Sequence, residues 1–223
     1  MQSFEEIYAT AAKRHGGPAA LEKLLSKPKS KAALRKIGDD RYLSGMTKSV
    51  FMAGFSWKVI ERKWPNFEAA FFGFAPRRVA FMPDEALDAL LQDRGIVRNG
   101  PKIRATRDNA RFIVDLAEEH GSAAKFFADW PSDDYVGLLA LLKKRASRLG
   151  GTSAQYFLRF IGKDAFVLSK SVVAALKAQA VVDKDPTSKR DLRAVQDAFN
   201  AWSAESGRPI TQVSQVLARS TDG

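Results

Sequence analysis

The sequence predicts an all-α protein, and three observations carry that reading. Apolar residues return at three- and four-residue intervals in one segment after another, which gathers them on one face of a helix. Glycine and proline stand at the ends of those segments, where helices stop and start. No run shows the strict alternation of a half-buried strand.

Taken in order, Phe4, Ile7, Tyr8 and Ala11 share a face of a first helix, and His15-Gly16-Gly17 ends it. Pro18 suits the first position of a second helix carrying Leu21, Leu24 and Leu25. Residues 26–36 form a polar basic stretch (Lys27, Lys29, Lys31, Arg35, Lys36), read either as a solvated linker or as a contact for a polyanion. From Asp39-Asp40 a long helical pattern runs through Leu43, Met46, Val50, Ala53, Trp57 and Ile60, and Pro65-Asn66 is expected to break it. Phe67, Phe71, Phe72 and Phe74 follow, then Pro76. Pro83-Asp84 opens a helix with Leu87, Leu90 and Leu91, and a turn over 95–101 leads to a helix over 103–119 that stops at His120-Gly121. Trp130-Pro131 closes the next segment. Helices are expected over 136–148, 154–161, 172–180, 188–203 and 210–219, with a tight turn at Gly150-Gly151 and a break at Gly207-Arg208-Pro209.

Composition narrows the function. The chain of 223 residues carries 36 Lys and Arg against 25 Asp and Glu, a net charge of +11, and a field of that sign attracts polyanions, above all nucleic acid. The alternative is a basic surface that serves solubility alone. There is no cysteine, which removes disulfides and thiolate metal sites. His15 and His120 are far apart and stand at expected helix ends, so no metal and no cofactor is expected. The apolar run 138–142 is bounded by Lys143 and Lys144, too short for a bilayer, and the acidic N-terminus has no apolar signal core. A cytoplasmic protein is expected.

Two segments carry a resemblance. The first joins Met52-Ala53-Gly54-Phe55-Ser56-Trp57, Asn66-Phe67, Phe71, Ile96-Val97-Arg98-Asn99, Lys102-Ile103-Arg104-Ala105 and Asn109-Ala110-Arg111. The second is Leu149-Gly150-Gly151-Thr152-Ser153 with Tyr156-Phe157-Leu158 and Ile161-Gly162. In this order and spacing they resemble the 3-methyladenine DNA glycosylase I family, within the helix-hairpin-helix DNA glycosylases. The resemblance implies a helical bundle in two lobes within one 1–223 unit: residues 39–165 with the pocket and hairpin, and residues 1–38 with 166–223. It implies a flipped base stacked on Trp57, with Phe55, Ser49 and Tyr42 around it, or Phe55 as a wedge in the duplex. The alternative for Trp57 and Phe55 is a place in the core. It also implies a phosphate held at Gly150, Gly151, Thr152 and Ser153, where glycines allow close approach and amides at a helix start face the anion. Arg98, Lys102 and Lys170 are further expected DNA contacts.

The sequence departs from the family in three places. The family's zinc ligands are missing, so Phe4 and Tyr8 at one end, with Phe199 and Trp202 at the other, are expected to hold the ends by packing. Ser49 stands where the family has a base-reading glutamate, and Glu61, one turn after Trp57, is either a substitute or a surface partner of Lys58 or Arg62. Ser169, Lys170 or Ser171 stands where the wider superfamily has a sugar-stabilising aspartate, and Gln155 where its lyases have a lysine. Glu61, Asp39 and Asp40 are the candidate carboxylates for orienting water. The expected activity is hydrolysis of the N-glycosidic bond of alkylated purines such as 3-methyladenine, by base flipping and without lyase chemistry. The alternative is a non-catalytic damaged-DNA-binding protein on the same fold. The expected partner is double-stranded DNA with a damaged base, bound by a monomer and without a membrane.

Overall fold

A computed structural model describes residues 1–221, and the described residues are helices and connecting turns without a strand. In chain order the helices are α1 (Phe4–Arg14), α2 (Pro18–Lys23), α3 (Lys31–Arg35), α4 (Asp39–Met52), α5 (Trp57–Ala70), α6 (Pro76–Ala80) and α7 (Asp84–Leu90), followed by α8 (Gly100–His120), α9 (Ala123–Asp129), α10 (Tyr135–Arg145), α11 (Thr152–Ile161), α12 (Lys170–Ala178), α13 (Lys189–Ser206) and α14 (Ile210–Ser220). The all-α expectation is met. The helix starts follow from local chemistry. Ser3 and Glu6 form a reciprocal capping box on α1, and Ser30, Asn99, Ser122, Ser169 and Ser188 each accept a backbone N–H in the first turn of the helix that follows.

The chain divides into two compact units. One comprises Ser30–Trp130 and Leu139–Ile161, the other Met1–Lys29, Pro131–Leu138 and Gly162–Gly223. In the first, α4 packs against α8 and α11. Its core is aromatic: Tyr42 stacks on Phe127 at 5.1 Å, and Trp64 lies parallel to Phe67 and Phe74 at 5.0 and 5.4 Å. In the second, α1 packs against α14. Phe166 stacks on Phe199 at 4.5 Å, and the Trp202 indole donates to the Gln2 carbonyl at 3.2 Å, so α13 is tied to the residues ahead of α1.

These units differ from the expected lobes at three places: residues 162–165 go with the terminal segments, where Asp164 accepts from the Ile210 and Thr211 amides at 3.2 and 2.7 Å, and two further stretches change sides. Residues 30–38 go with the α4 unit because α3 packs on α9 and the Tyr42 hydroxyl donates to the Leu34 carbonyl at 3.1 Å. Residues 131–138 go with the terminal segments because Tyr135 meets Phe166 edge-on at 4.6 Å and Gln196 accepts from the Val136 amide at 2.8 Å.

Three local expectations are corrected. The helix begun at Asp39 does not continue to Ile60. It stops at Met52, because Gly54 takes φ +79° and Ser56 starts a new helix. Pro65 does not end α5. It costs the N–H that would meet the carbonyl of Glu61, but buried Phe67 and half-buried Trp64 hold the turns on either side. The basic stretch over 26–36 is not all linker: Ser30 caps α3, Leu34 is buried, and both Lys31 and Arg35 pair with Asp129.

Candidate functional site

The break between α4 and α5 builds the site. The end of α4 presents Ser49 and Met52, the turn presents Ala53, and the first residue of α5 is Trp57. Opposite them stands the first turn of α11, with Thr152 and Ser153, and Tyr156 one turn further on. Together they enclose a pocket of about 170 Å³. Parts of the two segments that carried the resemblance thus share one cleft, although Trp57 and Thr152 are far apart in sequence.

The walls are aromatic and uncharged. The Trp57 indole is 43% exposed and meets the Tyr156 ring edge-on, centroids 5.0 Å apart with planes at 87°. Phe160, also exposed, meets Trp57 edge-on at 5.6 Å from outside the pocket. Among the lining residues, Ser49 has a buried hydroxyl without a hydrogen-bond partner. A buried polar atom without a partner is costly, so it marks a place where a ligand atom gains more than it would elsewhere.

The turn 53–56 is held from α8. Lys102 reaches across and donates its ammonium to the carbonyls of Phe51 (3.4 Å) and Ala53, and lies 4.7 Å over the half-exposed Phe55 ring. Burial, and then the nearby Arg148 cation, hold its pKa below the ordinary lysine value. The expectation of Lys102 as a DNA contact is therefore corrected. Its charge is spent on the C-terminal carbonyls of a helix, where cations are favoured, and it is 8% exposed.

The hairpin between α10 and α11 is fixed from the same helix. Buried Asn109 donates to the Ser147 carbonyl at 3.0 Å and accepts from the Ser147 amide at 2.7 Å. Arg148 and Gly151 take left-handed backbone, at φ +59° and +56°. A side chain at Gly151 would meet nothing within 4 Å, so that face of the turn is open. Gly150 lies beside the stem of exposed Lys143, and exposed Lys144 belongs to the same last turn of α10. The third cation of that turn, Arg145, is taken by a two-pronged pair with Glu119 at 2.8 and 2.6 Å.

The other expected residues do not join the pocket. Tyr42 is fully buried in the core, stacked on Phe127, with its hydroxyl used by Leu34. Asp39 caps α9, accepting from the amides of Ala123 and Ala124 at 3.2 and 3.0 Å. Asp40 pairs with Arg41 at 2.9 Å. Glu61 is exposed and 3.7 Å from Lys48. Phe55 is exposed on the turn, beside the pocket walls rather than among them. Arg98 is exposed just ahead of the α8 cap, and Lys170 is the exposed first residue of α12, in the other unit. Among the described residues no group of His, Asp and Glu could hold a metal ion. No described helix is long and apolar enough to cross a membrane.

Tyr156, Met52, Phe160 and Asn109 were not singled out as site residues from sequence. Tyr156 carried a usable signal, since i and i+4 on α11 put it on the face of Thr152. Asn109 stands in the first resemblance segment, but its hold on Ser147 could not be read there, because that partner is distant in sequence.

Residues 34–137 match the methyladenine glycosylase family model. The chain is 41% identical over 69 residues to DNA-3-methyladenine glycosylase 1 of Escherichia coli (strain K12), which is 31% of this chain and 36% of the relative. It is 34% identical over 64 residues to DNA-3-methyladenine glycosylase of Haemophilus influenzae, 29% of this chain and 35% of the relative. The matched segments thus span about a third of the length of these curated relatives. A crystal structure of 3-methyladenine DNA glycosylase I superposes with a TM-score of 0.50 at 27% identity, covering 61% of this chain and 81% of its own. The Staphylococcus aureus 3-methyladenine DNA glycosylase I shares the fold with a TM-score of 0.51 at 24% identity, covering 56% of this chain and 77% of its own. Residues 34–137, which include the α4–α5 turn and the α8 helix that holds it, are thus similar to the methyladenine glycosylase family.

Proposed function

We propose that the protein is a monofunctional DNA glycosylase that flips alkylated purines such as 3-methyladenine out of double-stranded DNA and hydrolyses their N-glycosidic bond. The observation that carries this reading is the contiguity of the pocket with the hairpin: Thr152 and Ser153 start α11 and also line the cavity of Trp57. A backbone held by the open turn at Gly150-Gly151 and the first amides of α11 delivers its flipped base to the adjoining cleft. There the base stacks on Trp57, and the perpendicular Tyr156 closes the corner. A purine nucleotide methylated at a ring nitrogen, as in 3-methyladenine, is already cationic, and aromatic faces attract a cation.

The chemistry asks little of the protein. Water attacks C1′ and forms the new C–O bond, the C1′–N bond breaks, and its electron pair neutralises the departing base, while the water proton goes to solvent. Because the leaving group carries its positive charge beforehand, no acid has to protonate it. This agrees with a pocket whose lining includes no carboxylate and with the engagement of Asp39, Asp40 and Glu61 elsewhere.

The test is release of free methylated bases from alkylated duplex DNA. Wild-type protein should release them, and Trp57→Ala should reduce release by about tenfold or more, since base–aromatic stacking is worth roughly 1–3 kcal/mol. Equal release by the variant would overturn the role of Trp57. A second reading, a damaged-DNA-binding protein without turnover, is favoured by the same lack of a carboxylate at the pocket. Lesion-dependent gel shifts with no abasic sites formed would select it.

A further inference from the structure

We infer, on the base-pocket reading above, that Phe160 is a positioning residue for base stacking: it does not line the pocket, yet together with Tyr156 it sets the plane of Trp57 against the flipped base.

The faces of α11 have different duties. Ala154, Phe157, Leu158 and Ile161 are buried, and the packing on α4 is close: a carbon added at Gly45 would meet the Phe157 ring at 3.4 Å. Thr152, Tyr156 and Phe160 stand four residues apart, in one row on another face. The first two line the pocket, and Phe160 continues the row beyond it, 47% exposed. Burial in the core does not account for a phenylalanine at this place.

Its ring contacts do. Tyr156 and Phe160 stack on each other, with centroids 5.6 Å apart and planes at 29°. Both stand nearly at right angles to Trp57, at 87° and 84°, with centroids 5.0 and 5.6 Å from it. Perpendicular pairs are favoured because the positive edge of one ring meets the negative face of the other. One such contact leaves an indole free to pivot about it. Two, side by side on one helix row, fix its plane.

Trp57 has little other support. It is the first residue of α5, and Ser56 ahead of it makes no side-chain capping bond. The preceding turn carries Gly54 at φ +79°, with nothing within 4 Å of where a side chain would stand. Among the described residues the Trp57 indole makes no hydrogen bond, so packing sets its plane. Stacking on a base needs nearly parallel planes, and a pivoting indole gives part of that contact back. Loss of the Phe160 ring therefore weakens stacking without removing any group that touches the base.

The experiment measures single-turnover release of 3-methyladenine from methylated duplex DNA over a range of protein concentrations, with acrylamide quenching of tryptophan fluorescence in the free protein. Phe160→Ala should lower the maximal rate about two- to tenfold, the worth of one aromatic pair. The half-saturating protein concentration should stay within about twofold, because phosphate contacts dominate binding and stacking acts after it. Phe160→Tyr keeps the ring and should restore the rate, whereas Phe160→Leu keeps only bulk and should not. In a Trp57→Ala background Phe160→Ala should have no further effect, since the ring it positions is gone. Quenching should rise in Phe160→Ala, and that rise should be absent without Trp57. An unchanged maximal rate, full rescue by leucine, or an undiminished effect in the Trp57→Ala background overturns the inference, while release by wild type upholds the pocket. A weakened half-saturation with the maximal rate intact makes Phe160 a DNA contact and overturns it too. Wild-type protein that releases no methylated base is a separate result: it overturns the base-pocket reading, and quenching alone then decides whether Phe160 holds Trp57.

Discussion

The ammonium of Lys102 sits 4.7 Å above the ring of Phe55 while it donates to the carbonyl of Ala53, so one cation from α8 fixes both the turn and the exposed aromatic on it. The C-terminus of α4 and the entry to α5 depend on this side chain.

Lys102→Met is therefore expected to lower the free energy of unfolding by about 1–3 kcal/mol, because it leaves helix-end carbonyls without a donor. Urea unfolding followed by circular dichroism would measure it. A phosphate-contacting lysine would instead lower the salt slope of DNA binding by about one on removal. The slope should stay unchanged for Lys102→Met and fall for Lys143→Ala, whose stem runs beside Gly150 in the hairpin.

Asn109 clips Ser147 through both its amide atoms. Asn109→Ala should destabilise the protein by about 1–3 kcal/mol and loosen the hairpin it holds. Amide hydrogen exchange over residues 146–151 should quicken. Asn109→Asp keeps the acceptor for the Ser147 amide and loses the donor, so it should fall between the two.

Gly151 separates function from stability. Its φ of +56° makes alanine cost about 1 kcal/mol, and no neighbour obstructs the added carbon. If that open face receives a phosphate, Gly151→Ala should lose DNA affinity out of proportion to this small change in stability. Parallel melting and anisotropy measurements would show it, and affinity unchanged in the variant would remove the phosphate from that face.

Glu68 makes the acid limb of stability specific. Burial pushes its carboxyl up, but hydrogen bonds from Arg41, Ser44 and Trp64 outweigh burial and leave its pKa below the ordinary value. A carboxyl lowered in the folded state contributes stability above its unfolded pKa and loses it as pH falls through the folded one. Glu68→Gln should cost about 1–3 kcal/mol at neutral pH, and its difference from wild type should shrink below roughly pH 4. A constant difference across that range would contradict the network.

The helices themselves were legible. Their caps and breakers are local, so Ser3 with Glu6, Asn99 before Gly100-Pro101 and Gly121 after His120 mark helix ends wherever the helices pack. The exception was the α4–α5 boundary. Periodicity continues across it, and only φ +79° at Gly54 together with a lysine from α8 shows the break. Pro65 misled for the opposite reason: tertiary burial of Phe67 overrode a local penalty.

By itself the sequence determined the all-helical class, the basic charge and the glycine turn ahead of Thr152, while only a resemblance linked Trp57 with Ser49. The tertiary structure alone decided which of these share a cleft. It set Tyr156 against Trp57, buried Tyr42 in the core, tied Asp39 to the amides of α9 and turned Lys102 inward. The reason is physical. Helical spacing fixes which face a side chain takes, but the partner that meets that face comes from another helix, chosen by packing the whole unit and not by any local run of residues.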